Sequence, residues 1–186
     1  MGNTVGSKDF PKFSKDHYIL GLWLADGYWR ASSIGLTSVN KQLIERFSAF
    51  LHQIAPKKPL KIRRYDPKTG EKRRQTAWQV YVNDRPLTRL FMSFKSQLPN
   101  ISQKHLPAYF AGRIDGDGHV DRKHRTGIRI AYGKLIDAQR DQQLLGKSNV
   151  SLYQYTQAKT FVLYFRKSFR EKILPAMSKY SVKLAP

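Results

Sequence analysis

The chain alternates between stretches with apolar residues at helical spacing and stretches in which every second residue is apolar. An apolar run ends at Asp26, and the residues from there to Ser38 indicate two short strands around a turn. Asn40 is typical of an N-cap and opens a helix, two further strands follow, and residues 85–97 form another helix. The same order begins again at Lys104. The pattern therefore predicts helix-strand-strand-helix-strand-strand-helix, twice over.

The two copies of this order open with similar segments. Residues 18–29 read YILGLWLADGYW and residues 109–120 read YFAGRIDGDGHV, so Gly21, Asp26 and Gly27 recur 91 positions later as Gly112, Asp117 and Gly118. A period of about half the chain indicates two similar halves. In the second half we predict helices over residues 104–115, 135–145 and 168–180, and strands over 119–123, 126–132, 150–157 and 160–166.

We therefore predict an α+β fold with two pseudo-symmetric αββαββα halves. The first half would span residues 1–98 and the second 104–186, with a linker at 99–103. The two halves would form a saddle of two four-stranded antiparallel sheets around a central two-helix interface.

Each opening helix carries a strip of small residues on one face. Gly21 and Ala25 are four residues apart, as are Gly112 and Gly116, so each pair lies on one side of its helix. Small residues let two helix backbones approach more closely than the usual distance of about 8–10 Å. We expect the two helices to pack on each other in parallel, with their C-terminal ends together.

Such packing would bring Asp26 and Asp117 together, which is unfavourable without a cation. The two carboxylates repel each other, and each lies at the negative end of its helix dipole. A divalent cation would relieve both problems. Gly27 and Gly118 follow the acids, and we expect them to adopt positive φ so that the chain can turn sharply into a strand.

The composition indicates a polyanionic partner. The 186 residues carry a net charge of +21, and the pI is near 10.3, far from the ordinary globular range. We expect no membrane partner, because no long apolar span or basic amphipathic helix accompanies the charge. The lack of cysteine excludes disulfides and thiolate metal sites. No signal-peptide segment opens the chain, which favours an intracellular location, in a bacterial or archaeal cytoplasm or in an organelle.

Both opening segments resemble the LAGLIDADG motif of homing endonucleases. The first copy reads ILGLWLADG over residues 19–27 and the second FAGRIDGDG over residues 110–118. Two motifs in one chain resemble the single-chain members of the family, which cleave both strands of a long DNA site. The sequence departs from the motif at Arg113, usually apolar in the family, and at Leu24, where many members have an acid.

The resemblance implies a monomeric, metal-dependent homing endonuclease that cuts double-stranded DNA at a long, near-asymmetric site. By this resemblance, Asp26 and Asp117 would each serve one strand and would share metal, with Ala25 and Gly116 as further metal ligands. Mg²⁺ is the expected ion, because carboxylate oxygens and substrate phosphates suit it. Mn²⁺ would substitute for it, and Ca²⁺ would bind without supporting cleavage.

Members of the family also carry polar and basic residues near the end of each half's second strand. In the first half, Ser38 and Val39 stand where the family often has Gln and Lys, so Lys41 is the nearest basic substitute. Lys41 can equally be interpreted as a solvated helix residue. In the second half, Lys134 is the best candidate. The resemblance thus adds Ser38, Lys41 and Lys134 to the two acids as catalytic residues.

DNA recognition would use the sheet face that continues from each acid. Arg and Lys can read guanine edges, Gln can read adenine, and the other polar residues would act through water. The strand parity decides the face, since a slip of one residue swaps the two faces. The predicted DNA-binding residues are Tyr28, Arg30, Ser32, Thr37, Lys61, Arg63, Gln79 and Tyr81 in the first half, and His119, Asp121, Lys123, Arg129, Tyr153, Tyr155, Tyr164 and Arg166 in the second.

Two alternatives to a site-specific endonuclease are open at this point. A maturase or another RNA-binding relative would keep the basic surface, bind intron RNA and need not cut DNA. A DNA-binding protein with a decayed catalytic centre would account for the absent lysine in the first half. Metal-dependent cleavage of DNA would distinguish the endonuclease from both.

Overall fold

The computed structural model describes residues 10–66, 75–121 and 127–185, which form six α-helices and eight β-strands in the predicted order. The first half contains α1 (Ser14–Asp26), β1 (Gly27–Arg30), β2 (Ser33–Ser38), α2 (Lys41–Ile54), β3 (Lys61–Tyr65), β4 (Ala77–Asn83) and α3 (Arg85–Ser96). The second half contains α4 (Leu106–Asp117), β5 (Gly118–Val120), β6 (Ile128–Tyr132), α5 (Leu135–Leu145), β7 (Val150–Tyr155), β8 (Thr160–Phe165) and α6 (Lys167–Ser178). None of these helices is long and apolar enough to cross a membrane.

Each half forms one four-stranded antiparallel sheet. The strand order is β1-β2-β4-β3 in the first half and β5-β6-β8-β7 in the second. In both sheets two consecutive hairpins join through the second and fourth strands of the half, which therefore lie in the centre. The prediction of an α+β fold with two antiparallel sheets is confirmed.

Capping side chains set the start of two helices. Asn40 Oδ1 accepts a hydrogen bond of 2.9 Å from the backbone N–H of Gln42, as the sequence predicts for α2. Asp84 Oδ1 accepts one of 2.9 Å from the backbone N–H of Leu87 in α3. Helix α4 begins and ends two residues later than predicted, with a proline in its first turn, where proline is tolerated. This shift makes Asp117 the last residue of the helix.

Contacts between Cα atoms divide the chain into two compact units. Unit 1 takes the described residues of Met1–Lys12 and Asp26–Asn100, and unit 2 takes Phe13–Ala25 and the described residues of Ile101–Pro186. All of α1 except its last residue therefore belongs to the unit of the second half. These units describe packing, and the sequence halves 1–98 and 104–186 with their linker stay a prediction.

In unit 1, helices α2 and α3 cover one face of the sheet. Alternate residues of β2 and β4 point into this core: Ile34, Leu36, Val80 and Val82 are fully buried. Phenylalanine rings of α2 and α3 pack around Phe10 with centroids 5.1–6.1 Å away. The other face of the sheet carries polar and charged side chains.

Unit 2 has the same layering. Helices α4 and α5 contact its sheet, and α6 packs on α4. Ile128, Ile130, Leu163 and Phe165 are buried at alternate positions of β6 and β8. The opposite face of this sheet is again polar, because the strands alternate between core and solvent.

Helix α1 packs on α4 within unit 2 at the small residues that the sequence singles out. A Cβ atom on Gly21 would overlap the carbonyl oxygen of Tyr109, and one on Gly112 would overlap that of Tyr18. A serine hydroxyl and a histidine nitrogen lie 2.9 Å apart at the N-terminal ends of the two helices. The helices therefore run in the same direction with their backbones in contact, as predicted.

The glycine after the second acid has a different backbone from the one predicted. Gly118 is extended, with φ −84° and ψ 150°, and Gly146 is the one glycine with positive φ among the described residues. The prediction of positive φ at Gly27 and Gly118 is wrong. Glycine is needed at 118 because a Cβ atom there would overlap the backbone of Ile114. The chain can thus turn tightly over the last turn of α4.

Candidate nucleic-acid interface and metal centre

The two motif acids end their helices. Asp26 is the last residue of α1 and Asp117 the last residue of α4. Each is followed directly by the first strand of a sheet, β1 or β5. Asp26 is half-buried, whereas Asp117 is exposed. Because the C-terminal end of a helix disfavours an anion, each carboxylate gains from a nearby cation.

Two positively charged side chains, Arg113 and Lys183, lie close enough to Asp117 to affect its carboxylate. Partial loss of hydration raises the pKa of Asp117, and the charges of Arg113 and Lys183 oppose this rise. Arg113 is buried one turn earlier on α4, while Lys183 comes from the segment after α6. The protein thus supplies cations of its own at the second acid.

Lys183 reaches the end of α4 from residues 181–184, which we call the C-terminal segment. Its Nζ donates hydrogen bonds of 2.9 Å to the carbonyl oxygens of Gly116 and Gly118, the residues on either side of Asp117. Lys183 is not among the residues predicted from the sequence, because the C-terminal segment has no periodic pattern. In a chain with 34 lysine and arginine residues, one lysine carries no signal by itself.

Asp115 holds the C-terminal segment on α4. Its buried carboxylate accepts hydrogen bonds from the Ser181 hydroxyl at 2.6 Å and from the backbone N–H groups of Val182 and Lys183 at 2.8 and 2.9 Å. The Tyr18 hydroxyl of α1 donates a fourth, at 2.7 Å. Asp115 therefore binds protein groups and fixes the backbone from which Lys183 extends.

Arg113, which departs from the motif, belongs to a buried ionic network. Its Nε lies 3.0 Å from Asp141 Oδ2, and the two side chains are 3% and 0% exposed. Tyr109 and Tyr132 donate hydrogen bonds of 2.9 Å to the same carboxylate. Burial, the largest single effect, disfavours the charged guanidinium, but Asp141 together with the surrounding tyrosines and Asp117 outweighs it, so the pKa of Arg113 is raised. Arg113 therefore remains positively charged inside the protein.

The oxygen atoms at the end of α4 fit a hard divalent cation. The Asp117 carboxylate and the carbonyls of Gly116 and Gly118 are ligands of the kind that Mg²⁺ and Ca²⁺ prefer. The two carbonyls already bind one cation, the Lys183 ammonium. Of the predicted metal-site residues, Gly116 thus presents its carbonyl to a cation, and Ala25 precedes Asp26 in the last turn of α1. Across residues 10–66, 75–121 and 127–185, no three His, Cys, Asp or Glu side chains form a group suited to a metal ion.

The three predicted assisting residues lie at the ends of secondary-structure elements. Ser38 ends β2, and its Oγ accepts a hydrogen bond of 3.2 Å from the backbone N–H of Asn40. Lys41 opens α2 and is exposed, with its Nζ 3.9 Å from Glu45. Lys134 is the exposed residue before α5. Their catalytic roles stay predictions.

The predicted DNA-binding residues on the strands of unit 1 share the polar face of its sheet. Cross-strand pairing places Tyr28, Gly35, Tyr81 and Lys61 in one row, and Thr37, Gln79 and Arg63 in the next. The cations of Lys61 and Arg63 lie 5.9 and 5.3 Å from the centre of the Tyr81 ring. The face is therefore an array of phenol rings and positive charges.

Gly35 and Arg30 belong to the same face. A Cβ atom on Gly35 would come within 2.5 Å of the Tyr28 ring, so glycine is needed beneath that ring. Arg30 is exposed at the end of β1, whereas Ser32 lies in the turn after it and outside the strands. DNA contact by these residues stays a prediction.

The polar face of the unit 2 sheet is built around Tyr164. His119, Arg129, Tyr164 and Ser151 form one row across the four strands. Arg129 donates a hydrogen bond of 3.4 Å to the Tyr164 hydroxyl, and the Tyr155 hydroxyl lies 2.8 Å from it. The Tyr153 ring packs edge-on against Tyr164 at 5.5 Å. Arginine and three tyrosines thus form one connected polar surface.

A shallow cavity lies on this surface. Its volume is about 310 Å³, and it is lined by Ser151, Tyr153, Tyr155, Tyr164, Phe165 and Arg166. Arg166 follows β8 and donates a hydrogen bond of 3.3 Å to the Ser151 hydroxyl. Asp121 lies just beyond β5, with its backbone N–H bonded to the carbonyl of Gly127 at 2.9 Å. Lys123 falls outside the described residues.

Comparison with a family model supports the resemblance seen in the motif. Residues 14–92 match the model of the LAGLIDADG-like domain. No curated protein sequence matches the chain.

Solved structures share the fold at low sequence identity. A double variant of I-DmoI, in complex with nicked target DNA and Mn, has a TM-score of 0.68 and 15% identity over 89% of this chain and 96% of that one. I-WcaI bound to its DNA recognition sequence has a TM-score of 0.58 and 12% identity, over 91% and 82%. Full-length DUF199/WhiA from Thermotoga maritima has a TM-score of 0.60 and 15% identity, over 92% of this chain and 57% of that one. Other I-DmoI structures contain DNA with Mg or with Ca.

Proposed function

We propose that this protein is a metal-dependent, site-specific endonuclease that hydrolyses phosphodiester bonds in double-stranded DNA, with Asp26 and Asp117 as the metal-holding acids. The observation that carries the proposal lies in unit 2. The oxygen atoms around Asp117 occur where α4 passes directly into β5, and His119 of β5 begins the row that continues to Arg129 and Tyr164. A phosphate bound at the start of that polar face would reach the end of α4.

The chemistry follows from what phosphodiester hydrolysis requires. A water must become nucleophilic, and negative charge on the phosphorus oxygens and on the leaving oxygen must be stabilised; a bound divalent ion such as Mg²⁺ supplies these effects. Asp117 and the carbonyls beside it would hold such an ion in unit 2, and Asp26 is proposed as the metal-holding acid of the first motif. Lys183 adds positive charge near Asp117, which favours the approach of an anionic phosphate.

The polar sheet faces are suited to DNA. Lys61, Arg63 and Arg129 carry charges that can neutralise phosphates, and the arginines can also read guanine edges in the major groove. The tyrosine hydroxyls can donate to phosphates or bridge to bases through water. The net charge of +21 adds long-range attraction to a polyanion.

The solved relatives support the same assignment. The I-DmoI and I-WcaI structures are of homing endonucleases bound to DNA, some with Mn, Mg or Ca. For this chain we propose Mg²⁺ as the working ion, with Mn²⁺ as a substitute. The protein acts as a monomer, because one chain carries both motifs.

A DNA-binding protein without cleavage is the second candidate. One observation favours it: the predicted assisting residues of the first half make local contacts, Ser38 with the backbone of Asn40 and Lys41 with Glu45. Such a protein would keep the cationic sheet faces and bind DNA without hydrolysing it.

A cleavage selection separates the two candidates. A library of long randomised duplexes is incubated with the full chain in Mg²⁺, in Ca²⁺ and in EDTA, and cut molecules are sequenced. The endonuclease predicts a discrete set of related sites that are cut in Mg²⁺ and left intact in Ca²⁺ or EDTA. Sequence-specific binding to the library without cleavage in any metal would favour the second candidate.

A further inference from the structure

We propose that the Lys183 ammonium is a resident cation at the second motif, and that a divalent metal binds at Asp117 only by displacing it. The inference rests on the proposed function in one respect, namely that Asp117 is a metal ligand. It adds that the chain itself competes with metal for this centre. Metal affinity at Asp117 is therefore set by Lys183.

The contacts of Lys183 are those that a bound metal ion would need. Carbonyl groups at a helix C-terminus lack partners within the helix and accept hydrogen bonds from other groups. The Nζ atom donates to the carbonyls of Gly116 and Gly118 at 2.9 Å each, and these residues flank Asp117. A metal held by Asp117 would use these same oxygen atoms or would lie beside the ammonium.

Simultaneous occupancy is electrostatically unfavourable. A divalent ion and an ammonium a few ångströms apart repel each other even in bulk water, and they do so more strongly near a protein surface, where the effective dielectric constant is lower. Arg113 is buried in its ion pair with Asp141 and cannot leave to relieve this repulsion. Lys183 is the cation that can move.

The C-terminal segment is built so that only the side chain of Lys183 has to move. Asp115 accepts hydrogen bonds from the backbone N–H groups of both Val182 and Lys183, and from the Ser181 hydroxyl. The backbone stays fixed, while the four-carbon lysine stem can rotate. Metal binding therefore exchanges one cation for another without unfolding the segment.

The two motifs differ at the position that holds the C-terminal segment. Leu24 occupies the position in the first motif that Asp115 occupies in the second, and leucine cannot hold a chain segment by hydrogen bonds. We therefore expect two metal-binding events of unequal affinity, with Lys183 affecting the one at Asp117.

Titration of the DNA-free, full-length protein with Mn²⁺ tests the inference, with free Mn²⁺ measured by electron paramagnetic resonance. Lys183→Met should bind one Mn²⁺ about tenfold more tightly than the parent, because the competing charge is gone. Adding Asp117→Asn to Lys183→Met should remove that gain. Lys183→Arg, which keeps the charge, should stay within about twofold of the parent.

Lys172→Met is the matched control, because it removes an exposed lysine of α6 from the same unit. It should leave Mn²⁺ affinity within about twofold of the parent. If Lys183→Met does not fold, as judged by its melting curve, Lys183→Gln takes its place. Mn²⁺ affinity that is unchanged or weaker without the Lys183 charge, or a gain that persists without Asp117, would overturn the inference.

The outcome is independent of cleavage. If the parent protein cuts no library site but Lys183→Met still binds Mn²⁺ more tightly through Asp117, the proposed endonuclease function is rejected and the competition between Lys183 and metal is supported. If the parent cuts DNA but Lys183→Met binds Mn²⁺ no more tightly, the competition is rejected and the endonuclease function is supported.

Discussion

At the scale of single residues, the second motif uses its unusual side chains to hold neighbouring segments. Arg113 breaks the apolar pattern of its helix, and the structure shows why this is tolerated: Asp141 of α5 neutralises it inside the core. The sequence reveals the misplaced charge but not its partner, because Asp141 lies in a helix with many polar residues and 28 positions away. A buried pair of this kind is recognised only when the helices are packed.

Replacing Asp141 with Ala would leave Arg113 buried without its counter-ion. We expect the free energy of unfolding to fall by about 3–5 kcal/mol, measured by urea denaturation. The double variant Arg113→Met, Asp141→Leu removes both charges and should recover part of that loss; the remainder reflects the Tyr109 and Tyr132 hydroxyls, which lose their acceptor.

Asp137→Ala serves as the control in the same helix. Asp137 is partly exposed, 3.2 Å from Arg140, and its loss should cost less than about 1 kcal/mol. Equal destabilisation by the two alanine variants would show that burial of the pair is not the cause.

At the scale of elements, the parallel packing of α1 on α4 is the feature that the sequence predicts best. The small-residue spacing and the recurring glycines suffice, because backbone contact between helices needs residues without side chains. Strand parity in both sheets also follows from alternation alone. The position of the C-terminal segment cannot be predicted in this way, since the segment has neither a periodic pattern nor a turn signature. Its docking depends on the single acid Asp115.

Gly21→Ala should destabilise the protein by about 2 kcal/mol or more, because the new methyl group meets the backbone of α4. Gly133→Ala is the control, since a Cβ atom there has nothing within 4 Å and the change should stay within about 0.5 kcal/mol. Thermal and urea melts of the two variants give the comparison. A neutral Gly21→Ala would mean that the helices are not in backbone contact.

The N-terminal ends of α1 and α4 should make stability depend on pH. Burial lowers the pKa of His17 below its usual 6.5; the Phe13 carbonyl opposes the shift, His105 adds to it and Asp16 opposes it. The His17 and His105 rings are stacked at 4.3 Å. As the pH falls, the unfolded state therefore takes up a proton at His17 before the folded state does. The contribution of His17 to the free energy of unfolding is complete above pH 6.5 and is lost as the pH falls from there toward the folded-state pKa.

Melting temperatures measured from about pH 7.5 to about pH 5.5 test this dependence. His17→Gln should flatten the decline, whereas His52→Gln, exposed on α2, should leave it as in the parent. An identical decline in the parent and in His17→Gln would assign the pH dependence to other groups.

At the scale of the whole molecule, the positive charge and the layering of helices on sheets together leave a cationic face on each sheet. Each sheet buries one face under helices and turns the other, with its cations and tyrosines, outward. A net charge of +21 on such a chain makes DNA binding strongly dependent on salt.

Arg129→Gln should reduce the slope of log affinity against log salt by about 1, because one phosphate-neutralising cation is lost from the sheet face. Lys172→Gln removes the same charge from α6, which packs against α4, and should leave the slope unchanged. Fluorescence anisotropy with a labelled duplex over a salt series measures both. Equal slopes for the parent and Arg129→Gln would place the DNA elsewhere.

The most direct test of the central claim is strand-specific cleavage of a selected duplex, labelled differently on its two strands, in Mg²⁺. The parent should cut both strands. Asp26→Asn and Asp117→Asn, each of which removes a metal-holding carboxylate, should each lower cleavage of both strands by at least about 100-fold while DNA binding persists. Cleavage of both strands at the parent's rate by either variant would contradict the assignment of these acids.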